Sequence, residues 1–213
     1  MRRHLVVPLL LAGYAASSPA CVSLKRTPEA RFFVLRSLAD PPAAAPATAP
    51  ADLVGVLPVL VPDYLDRPQV VTWAAPGELR IDEFLRWAEP LDAGVSRTLA
   101  ENLDALLPEH RLVRWPWPAS TPLRCRIRVG LQQFGPQTSG DLRLNGTFVL
   151  LPPRGARPLG GRRVDLRRGP AAGTTSGDAS LGVEAMSELL LDLAREIATA
   201  IKGLSAGGSE TAK

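Results

Sequence analysis

Few side chains in this chain are equipped to make or break bonds. Histidine occurs only as His4 and His110, and cysteine only as Cys21 and Cys125. A Ser-His-Asp triad needs a histidine beside its nucleophile, and a structural zinc site takes four Cys or His ligands. His4 falls in a removable leader, which leaves His110 as the one histidine of the mature chain and Cys125 as its one thiol besides Cys21. That set builds no His-based triad, Cys/His zinc site or haem ligation, and no cofactor or metal is expected. Asp82, Glu83 and Glu89 offer carboxylates for acid–base work in a hydrolase, but carboxylates at the start of a helix are ordinarily dipole-favoured surface groups.

Recognition chemistry is better represented. Between Pro62 and Asp92 the chain gathers Asp63, Tyr64, Asp66, Arg67, Trp73, Trp87 and Glu89, with no His, Cys or Ser among them. Protein interfaces favour Tyr, Trp and Arg, so these seven are the candidate partner-binding residues. The competing reading is that Tyr64 and Trp87 only cap the core, where large aromatics also go. Within the same stretch Leu79, Ile81 and Leu91 are expected in the core.

The ends set the cellular context. Arg2, Arg3 and His4 precede an apolar run, Leu5–Leu11, then small residues up to Ala20, which is the layout of a secretory signal. The apolar run is shorter than the ~20 residues that cross a bilayer, and no later stretch reaches that length. Cys21 follows at the position where bacterial lipoproteins are cleaved and acylated, although Ser18 stands where Leu is usual. Two readings stay open: Cys21 is the lipidated N-terminus, or Cys21 pairs with Cys125 under oxidising conditions. Without the leader, 25 − 2 = 23 basic residues face 21 acidic ones, a net charge of +2. So small an excess gives nucleic-acid binding little support.

The elements that must position the candidates read as follows. Residues 21–30 form a tether whose nine residues past Cys21 reach at most about 30 Å at ~3.5 Å per residue. Arg31–Arg36 is a first strand, and the Pro/Ala-rich Asp40–Pro50 is a loop inside the domain. Leu53–Val61 is apolar on both parities and suits a strand covered on both faces, although pattern alone leaves helix open. Gln69–Trp73 and Glu78–Ile81 form a hairpin around Pro76-Gly77. Leu91, Val95, Leu99, Leu103 and Leu106 mark an amphipathic helix stopped by Pro108. Leu123–Leu131 alternates strictly, with Cys125 on the apolar face and Arg124, Arg126 and Arg128 on the other. Those arginines suit either a solvated strand face or an anionic-lipid or phosphate site. Gly135–Gly140 is a turn. Leu142–Leu150 is a strand with a bulge expected at Gly146, and Val164 and Leu166 lie on a last strand. Within 154–168, six arginines face one acid, Asp165, and could touch phosphate headgroups. Leu181–Leu204 is a second amphipathic helix, and residues 205–213 are a disordered tail.

Three phrases carry a resemblance: Val61–Val71 (VPDYLDRPQVV), Phe84–Pro108 (FLRWAEPLDAGVSRTLAENLDALLP) and Arg111–Trp117 (RLVRWPW). With Cys21 shortly before Phe32-Phe33-Val34-Leu35, and Ala185-Met186-Ser187 in the leucine-rich last helix, the chain resembles the ABC-type transport auxiliary lipoproteins, the PqiC-like family of Gram-negative bacteria. The resemblance implies an outer-membrane lipoprotein facing the periplasm, held in the membrane lipid by its acyl anchor, that accompanies an MCE-domain protein forming a lipid tunnel between the membranes. Homo-oligomeric rings at the tunnel end would suit such a partner.

The expected fold is α+β: one two-layer domain over 31–204, a mostly antiparallel sheet of about five or six strands with two long helices on one face. The expected function is a non-enzymatic docking subunit that supports membrane integrity. A second expectation is a periplasmic lipid-binding protein that hands lipid to or from the transporter.

Overall fold

A computed structural model describes residues 28–39, 52–169 and 179–207. The leader, Cys21 and the Pro/Ala-rich loop lie outside the described residues. Eight strands and two helices follow in the order β1 (Arg31–Phe33), β2 (Asp52–Val56), β3 (Gln69–Ala75), β4 (Glu78–Trp87), α1 (Leu91–Leu106), β5 (His110–Arg114), β6 (Leu123–Pro136), β7 (Leu142–Leu151), β8 (Gly160–Arg168) and α2 (Ala179–Gly207). The class is α+β, two helices against mixed sheets in a single domain.

The strands divide into a five-stranded sheet, β5-β2-β6-β7-β8, and a three-stranded one, β1-β4-β3. The long ladders, β6–β7 and β7–β8, are antiparallel, as is the β3–β4 hairpin. The short pairings, β2 with β5, β2 with β6 and β1 with β4, are parallel. β2 lies between β5 and β6 and is covered on both faces, as its unbroken apolar run requires. Val54 and Val56 enter the core, while Trp117 lies over Gly55 on the other face, so close that a Cβ at Gly55 would sit 2.8 Å from the indole ring. Pro58, which has no N–H to give a ladder, follows the end of β2.

One contiguous core joins all the layers. Leu91, Val95, Leu99 and Leu103 of α1 are buried, as are Val183, Met186, Leu189, Leu190, Leu193, Ile197 and Ile201 of α2. Each such side chain contributes roughly 1.5–3 kcal/mol by leaving water. The five-stranded sheet meets them with Cys125, Ile127, Val129, Leu144, Phe148 and Leu150. At the end of α1 the Leu107 amide bonds back to the Leu103 carbonyl at 2.9 Å, just before Pro108 stops the helix.

Several local expectations need correction. Among the described residues the strands number eight and divide into two sheets; the expected first strand is shorter, Arg31–Phe33, and β5 is a short strand not expected, which finds a parallel partner far away in sequence. β6 runs on to Pro136, where a turn from Gly135 was expected, and the turn is confined to the residues after it. The register irregularity falls at the level of Gly146, as expected, but its extra residue is on β6: Leu131 pairs with Gly146 and Gln133 with Asn145. Gly146 is the residue that makes room for it: a Cβ there would lie 2.6 Å from the Gly130 carbonyl oxygen. Asp82 and Glu83 belong to β4 and not to a helix start. Ile81 is 39 % exposed and not core. β1 pairs only with Leu85–Trp87, so the first half of β4 has β3 as its one strand neighbour among the described residues. α2 runs to Gly207, past the expected end at Leu204.

Candidate functional site

The loop Pro62–Pro68 folds on itself before β3 begins. The amides of Leu65 and Asp66 bond to the Pro62 carbonyl at 2.8 and 3.2 Å, and the Arg67 amide to the Leu65 carbonyl at 2.8 Å. Leu65 plugs the loop into the core. On its far side the Trp87 amide donates to the Pro68 carbonyl at 2.7 Å, which ties the loop to the end of β4. Residues 66–68 and 87–91 thereby become the two walls of one surface cleft of ≈ 330 Å³.

Four of the seven candidates meet there. Trp87 is 7 % exposed and joins the core, so at this position the core-capping reading is the one the geometry favours. Asp66 stands exposed at the rim. Arg67 is half-buried, its Nε withdrawn from solvent and without a hydrogen-bond partner. Glu89 precedes α1 and accepts from Arg97 Nη2 at 2.6 Å. Gly94 makes this position accessible, since a Cβ there would come within 3.1 Å of Glu89 Oε1. The same Arg97 nitrogen donates to the Leu35 carbonyl at 2.8 Å, and Nη1 reaches Glu101 at 3.2 Å. The hydrogen bond to Glu89 raises the Arg97 pKa further above its already high ordinary value.

The other three stand apart from the cleft walls. Tyr64 donates its hydroxyl to the Gln132 carbonyl in β6 at 2.6 Å, and its ring meets Trp73 edge-on at 5.6 Å. Burial pushes the Tyr64 phenol pKa up. The Trp73 carbonyl in turn receives the Thr138 amide at 2.9 Å. Tyr64 and Trp73 thus brace the loop and β3 against the β6–β7 turn. Asp63 is exposed on the loop.

Arg97 was absent from the candidates, although it governs how Glu89 is held. The trace it leaves in the sequence is weak: a basic residue on the polar side of α1, about two turns beyond Glu89. The carboxylates considered for catalysis have structural partners. Asp82 accepts the Phe84 amide at 2.8 Å, and Glu83 accepts from Gln69 at 2.9 Å. Among the described residues no three metal-ligating side chains converge, and no helix is long and apolar enough to cross a membrane. Cys125 is buried among the core residues of β6.

The fold is similar to that of solved proteins. A crystal structure of an uncharacterized protein aligns with a TM-score of 0.67 at 21 % identity, covering 82 % of this chain and 99 % of that one. The crystal structure of a protein from Xanthomonas campestris aligns with a TM-score of 0.64 at 16 % identity, covering 85 % of this chain and 100 % of that one. Among curated proteins none matches. The pattern of the family described as the ABC-type transport auxiliary lipoprotein component matches residues 33–198, which takes in β1's last residue, both walls of the cleft and most of α2. The chain belongs to the ABC-type transport auxiliary lipoprotein component family.

Proposed function

We propose that this protein is a non-enzymatic outer-membrane lipoprotein that docks an MCE-type periplasmic tunnel at the outer membrane, within an intermembrane lipid transport system. The observation that carries the reading is the convergence of two separate sequence phrases, 62–68 and 87–91, on one cleft. Four backbone hydrogen bonds within the loop, two of them from the Asp66 amide, and one from β4 hold its walls. Such a site presents Asp66 and Arg67 to a partner while Trp87 and Leu65 remain in the core. Preorganised walls lower the ordering cost of association. The anchor in this reading is Cys21, followed by Val22 and Ser23 and not by the Asp that retains lipoproteins at the inner membrane.

The test is co-purification of the full-length protein with an MCE-domain protein from detergent-solubilised envelopes. Asp66→Ala with Arg67→Ala should abolish it, while Asp63→Ala, away from the cleft walls, should leave most of it. If the double variant co-purifies undiminished, the partner docks elsewhere. Lipid recovered with a Cys21→Ser protein, together with undiminished co-purification, would favour a lipid-handing role instead.

A further inference from the structure

Along β8 the two faces of the five-stranded sheet hold arginine differently. On the face covered by the helices, each arginine of β8 meets an acid. Arg162 pairs with Glu196, and Arg168 with Glu188 and Asp192 at 2.8 and 2.7 Å. The opposite face carries Arg111, Arg126, Arg128, Arg143, Arg163 and Arg167 at outward-pointing positions of β5 to β8, where the strand alternation puts them on one side. Asp165 is the one acid at those strand positions. It is held by Arg143 in a two-pronged contact at 2.7 and 2.8 Å, with Arg167 at 3.4 Å. Arg126 donates to the carbonyls of Pro152 and Gly155 and keeps its charge. Arg111, Arg128 and Arg163 are exposed, and no ion pair to an acid is seen for them among the described residues. A merely solvated surface mixes both signs, and a single-sign field of this size is ordinarily kept for attracting something.

A second feature borders this face. The β5–β6 connection lays Trp117 over Gly55, and Trp115 meets Trp117 edge-on at 5.1 Å while remaining 52 % exposed. An exposed tryptophan beside a basic surface is the composition of a membrane–water interface.

We propose that the outer face of the five-stranded sheet lies against an anionic phospholipid surface, with the arginines on the headgroup phosphates and Trp115 at the headgroup level. The choice of a membrane over an acidic protein rests on the lipoprotein reading. A chain anchored at Cys21 has only residues 22–30 before β1, about 30 Å of reach at ~3.5 Å per residue, so the domain stays beside a bilayer. The acyl anchor would then hold the protein and the arginine face would orient it.

The test leaves out the anchor, so that its result does not depend on lipidation. All the described elements follow residue 28, so a chain starting at residue 21 with Cys21→Ser keeps the fold. Its sedimentation is measured with phosphatidylcholine vesicles and with vesicles containing phosphatidylglycerol. Expected is binding to the anionic vesicles alone, declining with salt. Arg128→Glu with Arg163→Glu should weaken it at least about thirty-fold, the equivalent of two basic residues at ~1 kcal/mol each near an anionic surface. The charge-matched control, Arg80→Glu with Lys202→Glu, should bind as the parent does. Equal binding to both vesicle types, no binding to either, or equal loss in the control overturns the proposal. So does a double variant that binds vesicles normally but no longer co-purifies with the MCE-domain protein, since the face would then serve a protein.

Discussion

Arg97 ties Glu89, in one wall of the cleft, to Leu35 and to Glu101 of α1, and its removal can be worked out in advance. One guanidinium nitrogen bridges Glu89 at 2.6 Å and the Leu35 carbonyl at 2.8 Å, and the other reaches Glu101 at 3.2 Å. The Arg97 and Glu89 side chains are 26 % and 32 % exposed, so the pair is screened less than a surface one. We assign it about 1 kcal/mol, the upper end of measured exposed pairs. The bond to Leu35 adds about 1 kcal/mol, typical of a net hydrogen bond. The contact with Glu101 adds about 0.4 kcal/mol, typical of an i,i+4 helix pair. Arg97→Ala should therefore cost about 2.4 kcal/mol, a large share of the ~5–15 kcal/mol that holds a domain together. Glu89→Ala should cost about 1 kcal/mol, and the double variant about 2.4 kcal/mol, leaving a coupling of about 1 kcal/mol. The assay is urea unfolding of the four proteins. A coupling within ~0.3 kcal/mol of zero, or an Arg97→Ala cost below the ~0.5 kcal/mol of ordinary surface changes, would refute the reasoning. The same variants separate two roles for Glu89. If co-purification falls equally in Glu89→Ala and Arg97→Ala, Glu89 acts through the shape of the cleft wall and not by touching the partner.

Two further outcomes follow from the five-stranded sheet. Gly146→Ala places a Cβ 2.6 Å from a backbone oxygen and should lower stability by about 1–3 kcal/mol, as overpacking does, while Gly130→Ala, with nothing within 4 Å, should be nearly neutral in the same urea titration. The Arg143 hydrogen bond holds the Asp165 carboxyl down to about 2, below its unfolded value near 4. The resulting stability is therefore complete above pH ~4 and lost as pH falls toward ~2. Asp165→Asn should remove this acid limb and cost under about 1 kcal/mol at pH 7, because the carboxylate is 38 % exposed and screened. A stability difference from the parent that stays constant from pH 5 to 2 would contradict the assignment.

What could be read in advance follows from how the information is stored. Both helices announce themselves by periodic leucines, and the β3–β4 hairpin by Pro76-Gly77 between two alternating runs. β6 shows its buried side from Leu123 to Leu131 because Arg124, Arg126 and Arg128 alternate with apolar residues. The pairing of β5 with β2 is another matter. His110–Arg114 is five residues long with arginine at Arg111 and Arg114, and it becomes a strand because a parallel partner lies more than fifty positions earlier. Alternation says which way a residue points, but not whether anything waits there, which is why Ile81 ends half in solvent. The seven candidate residues have in common only their type and their nearness in sequence. Type could not reveal that the Trp87 amide would tie two of the phrases together, or that Tyr64 and Trp73 would turn to β6 instead.

The parallel pairing of β1 with β4 gives the entrance to the domain a mechanical character. A pull delivered through the chain ahead of residue 28 runs along β1, so the bonds to Leu85–Trp87 are loaded in shear, together and not one after another. Behind them in series come Leu35 in the core, its carbonyl held by Arg97, and then Asn102, whose side-chain oxygen receives the Ser37 hydroxyl and the amides of Leu38 and Ala39 at 2.9, 3.0 and 3.1 Å. Successive catches of this kind resist unzipping from the N-terminal end, the end at which a lipid-anchored protein is tugged.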